Sequence, residues 1–161
     1  MDQNDTLAKA TGFGEDTRQF LSFHLNQEEY AIDILRVQEI KGYSTITGVP
    51  NTPGYIKGVM NLRGTIVPVV DLRARFAMPE SQYDKFTVII VVTVGSKVLG
   101  LVVDAVSDVL NIAGRDMQPT PDLGSGVDTS FLTGMARCAD RLILMLDIDR
   151  VLHEEPLAAA V

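Results

Sequence analysis

The chain repeats itself, and that repeat limits its fold more than any other feature. YAIDILRVQEI (30–40) lies over LGLVVDAVSDV (99–109) at a constant offset of 69. This pairs Ile32 with Leu101, Ile34 with Val103, Val37 with Val106, Glu39 with Asp108 and Ile40 with Val109. YIKGVMNLRGTIVPVVDLRARF (55–76) lies over FLTGMARCADRLILMLDIDRVL (131–152) at an offset of 76 without a gap, so that Gly58 meets Gly134 and Asp71 meets Asp147. The change of offset falls in a loop, where insertions are tolerated. A unit of about 65 residues buries too little surface to be comfortable alone, so the copies are expected to pack together and share a core.

Each copy reads as mostly β. QFLSFHL alternates, with Leu21, Phe23 and Leu25 on one face and Phe20, Ser22 and His24 on a polar face. NQEE supplies a turn and YAID a second strand. ILRVQEIK (34–41) has helical spacing, with Asp33 a suitable N-cap, and DAVSDVL predicts a matching helix over 105–110. Further strands are expected at 44–49, 55–61 and 65–71, with NTPG (51–54) a turn. Pro68 inside IVPVVDL points to an edge strand or a bulge. In the second copy TVIIVVTV, VLGLVV, FLTGMAR and RLILMLDI are strands, 111–130 is a loop and DRVLHEE a last short helix. The expected architecture is two pseudo-symmetric five-stranded β-barrels with short helices, a shared core and a groove at their junction. The first barrel is expected over 18–80 and the second over 81–153, with a disordered tail at 1–17 and a C-terminal tail at 154–161.

Charge and composition exclude several functions. The formal net charge is −7, from 21 acidic and 14 basic residues, and no basic run offsets it. Nucleic acid is therefore a poor partner. Val88–Val94, the longest apolar stretch, has seven residues against the ~20 of a membrane helix. With a polar N-terminal segment, this leads us to expect a cytosolic protein that reaches membranes only through partners. The single cysteine, Cys138, allows no internal disulfide.

Catalytic constellations are thin. His24 and His153 are the only histidines, and with Cys138 they offer no zinc spacing. We expect no catalytic residue, no metal and no cofactor. GFGEDT (12–17) lacks a preceding strand and is discounted as a phosphate loop. Asp71 and Asp147 stand at equivalent strand ends, which favours duplicated cap or turn roles over acid–base chemistry. Gly58 and Gly134 suit a bulge or a close backbone approach, and Gly64 a positive φ in the NLRG turn. Arg63 in that turn is either simply solvated or an interface residue, since its fork makes bidentate contacts. The second copy has RCAD (137–140) there, so the fold itself does not require the arginine.

IDILRVQEIKGY (32–43), NTPGYIKGVMNLRGTIVPVVDLR (51–73) and VVDAVSDVL (102–110) resemble the CheW-like family of chemotaxis coupling proteins, from about Gln19 to Leu152. The resemblance implies two SH3-like barrels without catalytic activity. It implies an adaptor that joins the cytoplasmic tips of chemoreceptors to the histidine kinase CheA, through the kinase's regulatory domain. It further implies that the receptor's helical hairpin is received between the barrels, near Ile34, Val37 and Glu39, with Arg63 as a further contact. Val88, Leu99 and Val106 are weaker candidates for the facing wall, and for each a place in the core is the preferred reading. Pro121, Asp122 and Leu123, in the proline-flanked loop, are candidates for the kinase. An adaptor of a parallel chemosensory system, such as surface motility, fits equally well. A small-ligand or oligonucleotide-binding barrel would want exposed aromatics, and the chain has no tryptophan and 6% aromatic residues.

Overall fold

The computed structural model describes residues 17–121 and 130–153. The alternating stretches form antiparallel hairpins: β1 (Arg18–Leu25) with β2 (Glu28–Asp33), β4 (Ile56–Leu62) with β5 (Thr65–Asp71), β6 (Val88–Val94) with β7 (Lys97–Val103), and β10 (Leu132–Cys138) with β11 (Arg141–Leu146). Between them lie β3 (Val37–Gly42), β8 (Ala105–Ile112) and the two-residue β9 (Met117–Gln118), and the short helices α1 (Leu72–Arg75) and α2 (Ile148–His153). The strands form a six-stranded sheet, β8-β1-β2-β11-β10-β9, and a five-stranded sheet, β3-β6-β7-β5-β4.

The registers reproduce the repeat. Leu21 faces Ile32 in one hairpin and Ile90 faces Leu101 in the other, each residue 69 from its mate. Val59 faces Pro68 and Met135 faces Leu144, each 76 from its mate, and both hairpins bulge at the same place, before Gly58 and before Gly134. Both sheets run in the order third, first, second, fifth, fourth strand of the repeat. The first and second strands, however, come from the opposite copy. β1 and β2 pair with β8 and β11, while β6 and β7 pair with β3 and β5. The division at 80/81 therefore does not separate the barrels. Barrel A is built from β1, β2 and β8–β11, and barrel B from β3–β7.

Three clusters form the core. Phe20, Ala31, Ile143 and Met145 fill barrel A, and Met60, Val67, Val69 and Ile89 fill barrel B. Leu21, Phe23, Ile32, Ile90, Val92 and Leu101 form a third cluster shared between the sheets. β1 is thus buried on both faces, and the expected polar face carries Phe20 and Ser22 into the barrel interior, leaving His24 exposed. Burial of each large apolar side chain contributes roughly 1.5–3 kcal/mol.

The two predicted short helices are strands. Asp33 does cap a turn, its carboxylate accepting the Leu35 N–H at 2.9 Å, but only one 3-10 turn, Ile34–Arg36, follows. Val37–Gly42 then pairs with β6, and Ala105–Ile112 with β1. A helix of two turns is marginal in water, whereas a ladder to an inner strand satisfies the backbone and suits β-branched Val37, Ile40, Val106 and Val109. The strand expected at 44–49 reduces to a bridge from Thr47 to Val59. Pro68 lies not on an edge but on β5, between β4 and β7, one residue before the ladder to β7 begins at Val69. That position leaves its missing N–H without consequence for the ladder. Within the expected 111–130 loop, β8 runs on to Ile112 and β9 adds a sixth strand.

Candidate functional site

β3 is an edge strand whose side chains alternate, with Val37, Glu39 and Lys41 half-buried and Gln38 and Ile40 exposed. Val37 packs against the shared core opposite Val92. Two residues on, Glu39 meets Arg63 in an ion pair from the β4–β5 turn. Arg63 reaches it because the turn is tight: Arg63 has φ 52°, Gly64 φ +90°, and the Gly64 N–H donates to Asn61 Oδ1 at 2.8 Å. The hydrogen bond from Arg63 holds the Glu39 carboxyl below the usual range, and the pairing raises the Arg63 guanidinium. The structure thus brings Val37, Glu39 and Arg63 to one end of barrel B, although Arg63 is 24 residues from its partner.

The other candidates divide. Val106, the repeat mate of Val37, faces Phe23 and is half-buried against the shared core, as is Ile34. Val88 stands at the far end of β6 from Val92, opposite Gly42 and Val103, so about 13 Å of strand separates it from the Val37 level. Leu99 is 3% exposed within the shared core and presents no surface to a partner. Pro121 is exposed, while Asp122 and Leu123 lie outside the described residues.

Gly58 and Gly134 hold close backbone approaches. A Cβ on Gly58 would stand 2.0 Å from the Thr47 carbonyl oxygen, and one on Gly134 2.5 Å from that of Gln118. Asp71 caps α1, accepting the N–H groups of Arg73 and Ala74, and Asp147 likewise accepts from Asp149 and Arg150. Asp71 also accepts the Tyr83 hydroxyl at 2.6 Å, and burial with that bond raises the phenol far above its ordinary range. Among the described residues, no His, Cys, Asp and Glu group is placed to hold a metal ion, and no helix is long and apolar enough to cross a membrane.

Sequence reasoning missed four exposed apolar residues that the repeat relates in pairs. Ile40 and Val109 lie on β3 and β8, Ile66 and Leu142 on β5 and β11, between 43% and 60% exposed. Reading β3 and β8 as helices hid the first pair, which strand alternation would have turned outward. Leu35, 86% exposed, also escaped notice, although its repeat mate is Asp104. A cavity of about 340 Å³ opens at the barrel junction, lined by Tyr30, Leu132, Leu144 and Leu146 of barrel A, by Arg75 at the end of α1 and by Phe76 and Met78 after it. None of the candidate receptor residues lines it. The repeat mates of its lining residues on barrel B include Ile56, Val70, Leu99, Val151 and Leu152, all buried in the shared core.

The same strand arrangement recurs in known proteins. The CheW-like domain model matches residues 19–156. The chain is 47% identical over 141 residues to chemotaxis protein CheW of Klebsiella aerogenes, covering 88% of this chain and 85% of that protein. It is 41% identical over 143 residues to that of Rhizobium meliloti, covering 89% and 92%. The crystal structure of the scaffolding protein TtCheW from Thermoanaerobacter tengcongensis superposes with a TM-score of 0.75 at 36% identity, over 81% of this chain and 88% of that one. Family match, identity and fold coincide over nearly all of the described residues: the chain belongs to the CheW-like domain family.

Proposed function

We propose that the chain is a non-catalytic coupling adaptor of chemotaxis signalling, holding the cytoplasmic tip of a chemoreceptor on one face and the regulatory domain of the histidine kinase CheA on another. Membership of the CheW-like family supports the adaptor role. The observation that carries the receptor face is the convergence of Val37, Glu39 and Arg63 at one end of barrel B. Apolar Val37 supplies an anchor for an amphipathic helix, and the neighbouring ion pair supplies charge that fixes register more than it adds affinity. The chain works in the cytosol and reaches receptor arrays through its partners. Kinase contacts come from barrel ends and loops, with Pro121, Asp122 and Leu123 the first candidates.

The test is a pair of titrations of Val37→Glu, against a receptor cytoplasmic fragment and against the kinase regulatory domain. A micromolar contact corresponds to about −8 kcal/mol, of which a few anchors supply most. We expect receptor affinity to fall by more than tenfold, about 1.4 kcal/mol, with kinase affinity little changed. Equal loss for both partners, or loss with unfolding, would return Val37 to the core.

A further inference from the structure

Among the described residues the chain passes between barrels twice, at Ile34–Arg36 between β2 and β3 and at Asp104 between β7 and β8. An arginine–aspartate fork clamps each crossing to a short helix. At the first, Arg36 Nη1 and Nη2 donate to Asp149 Oδ1 and Oδ2 at 2.8 and 2.6 Å, and Nη1 also donates to the Thr93 carbonyl at 3.3 Å. Asp149 rides on α2, which continues β11 of barrel A, while Thr93 belongs to β6 of barrel B. One guanidinium therefore spans both barrels. At the second crossing, Arg73 Nε and Nη2 donate to Asp104 Oδ1 and Oδ2 at 2.9 and 2.8 Å, and Nη1 donates to the Pro79 carbonyl at 2.7 Å. Asp104 Oδ2 also accepts the Asn26 N–H at 2.9 Å, from the β1–β2 turn of barrel A. Arg73 rides on α1, which continues β5 of barrel B.

Arg73 and Asp149 are repeat mates, 76 residues apart. The helix residues of the clamps thus hold equivalent places with opposite charge, a cation at one crossing and an anion at the other, while the crossing residues are one place out of step: Asp104 is the repeat mate of Leu35, and Arg36 that of Ala105. The hydrophobic driving force in the shared core is non-directional, whereas a bidentate guanidinium–carboxylate fork fixes a direction as well as a contact. We propose that Arg36–Asp149 and Arg73–Asp104 are positioning pairs that set the angle between the two barrels. Val37 directly follows the first crossing and Val106 stands two residues after the second, so the clamps also set the separation of these two residues. The consequence for receptor binding rests on the function proposed above; the consequence for barrel orientation does not.

Residual dipolar couplings on the full chain test this. In the unaltered protein both barrels should fit one alignment tensor. In the double variant Arg36→Gln with Arg73→Gln, each barrel's couplings should still fit its own structure, but with tensors that differ in orientation or in magnitude. The exchange Arg73→Asp with Asp104→Arg gives the second clamp the polarity of the first, and in the background of an intact first clamp it should keep a single tensor where Arg73→Asp alone does not. A double variant that keeps one tensor of unchanged magnitude overturns the proposal, as does an exchanged pair no better than Arg73→Asp alone. Should the double variant unfold, Arg73→Lys keeps the charge without the fork; it should show a smaller divergence, and an unchanged single tensor again overturns the proposal. A receptor fragment should bind the double variant about tenfold more weakly. Diverged tensors with unchanged receptor affinity would support the clamps and count against the receptor face.

Discussion

Barrels A and B share one ladder and differ in what fills it. In barrel B, Gly100 lies on an inner strand and Met60 occupies the space beside it, with the Met60 methyl 3.4 Å from where a Gly100 Cβ would be. The repeat mates in barrel A are Ala31 and Ala136: one side chain gains a carbon and the facing one gives up its length. Val91, the cross-strand partner of Gly100, and Val98 of barrel B correspond to Ser22, the partner of Ala31, and Glu29 of barrel A. Ser22 is fully buried and Glu29 is 9% exposed, held by Arg141 through bonds of 3.1 and 2.9 Å. The comparison teaches that register tolerates compensated exchange of volume and even of polarity, provided each buried polar group keeps its partner. It does not tolerate loss of the glycines at the bulges, which both copies retain.

The glycines give the largest expected effect and the sharpest test of equivalence. Gly58→Ala sets a Cβ against backbone at φ +146°, and Gly134→Ala meets a less severe approach. Denaturant unfolding should show losses of roughly 3–5 kcal/mol and roughly 1–3 kcal/mol respectively. Equal losses would mean that the close approach alone, without the backbone angle, sets the cost.

Transplanting one interior into the other comes next. Met60→Ala alone should cost about 2–5 kcal/mol as a cavity, and Gly100→Ala alone about 1–3 kcal/mol by overpacking against Ile89. The double variant recreates the barrel A pair and should cost less than the sum, by roughly 0.5–3 kcal/mol in a double-mutant cycle. Strict additivity would show that the two barrels reached their packing independently.

Breaking the polar corner of barrel A should cost less. Arg141 is 40% exposed, so Arg141→Met should lose roughly 1–3 kcal/mol, mostly through the stranded Glu29 carboxylate. Burial pushes the Glu29 pKa up, but hydrogen bonds from Ser22 and Arg141 outweigh it and hold it below its ordinary value. A lowered folded-state pKa means that the stabilisation is complete above the unfolded value of about 4.3 and is lost as pH falls through the folded one. Thermal melts from pH 7 to pH 3 should show that loss in the parent protein and a weaker or reversed dependence in Arg141→Met. The smallest effect belongs to barrel B's exposed pair: Arg63→Ala should change stability by less than about 0.5 kcal/mol while weakening assembly with receptor and kinase. A large fall in melting temperature would make Arg63 a structural clasp instead.

Much of the fold was legible because side-chain alternation and turn chemistry are local. The hairpins, the caps at Asp71 and Asp147 and the glycine positions all follow from residues within a few places of one another. The residues of the proposed receptor face, Val37, Glu39 and Arg63, were picked out because they fall in distinctive strings. What failed was wherever partners are distant. Val37–Gly42 has an apolar spacing that suits a helix, and only β6, some fifty residues on, makes it a strand. Leu99 could be read as wall or, more simply, as core, and the shared core encloses it.

The sequence by itself determined the two copies, their offsets of 69 and 76, and through them every equivalent register. Only the tertiary structure decided that β1 and β2 complete the barrel of the second copy while β6 and β7 complete that of the first. Because the copies are alike, each hairpin presents a similar edge and a similar apolar face to either barrel, so local pattern cannot choose between them. The choice rests on the short crossings at Ile34–Arg36 and Asp104, which carry the chain from one sheet to the other and leave the outer faces of all four strands to form the shared core.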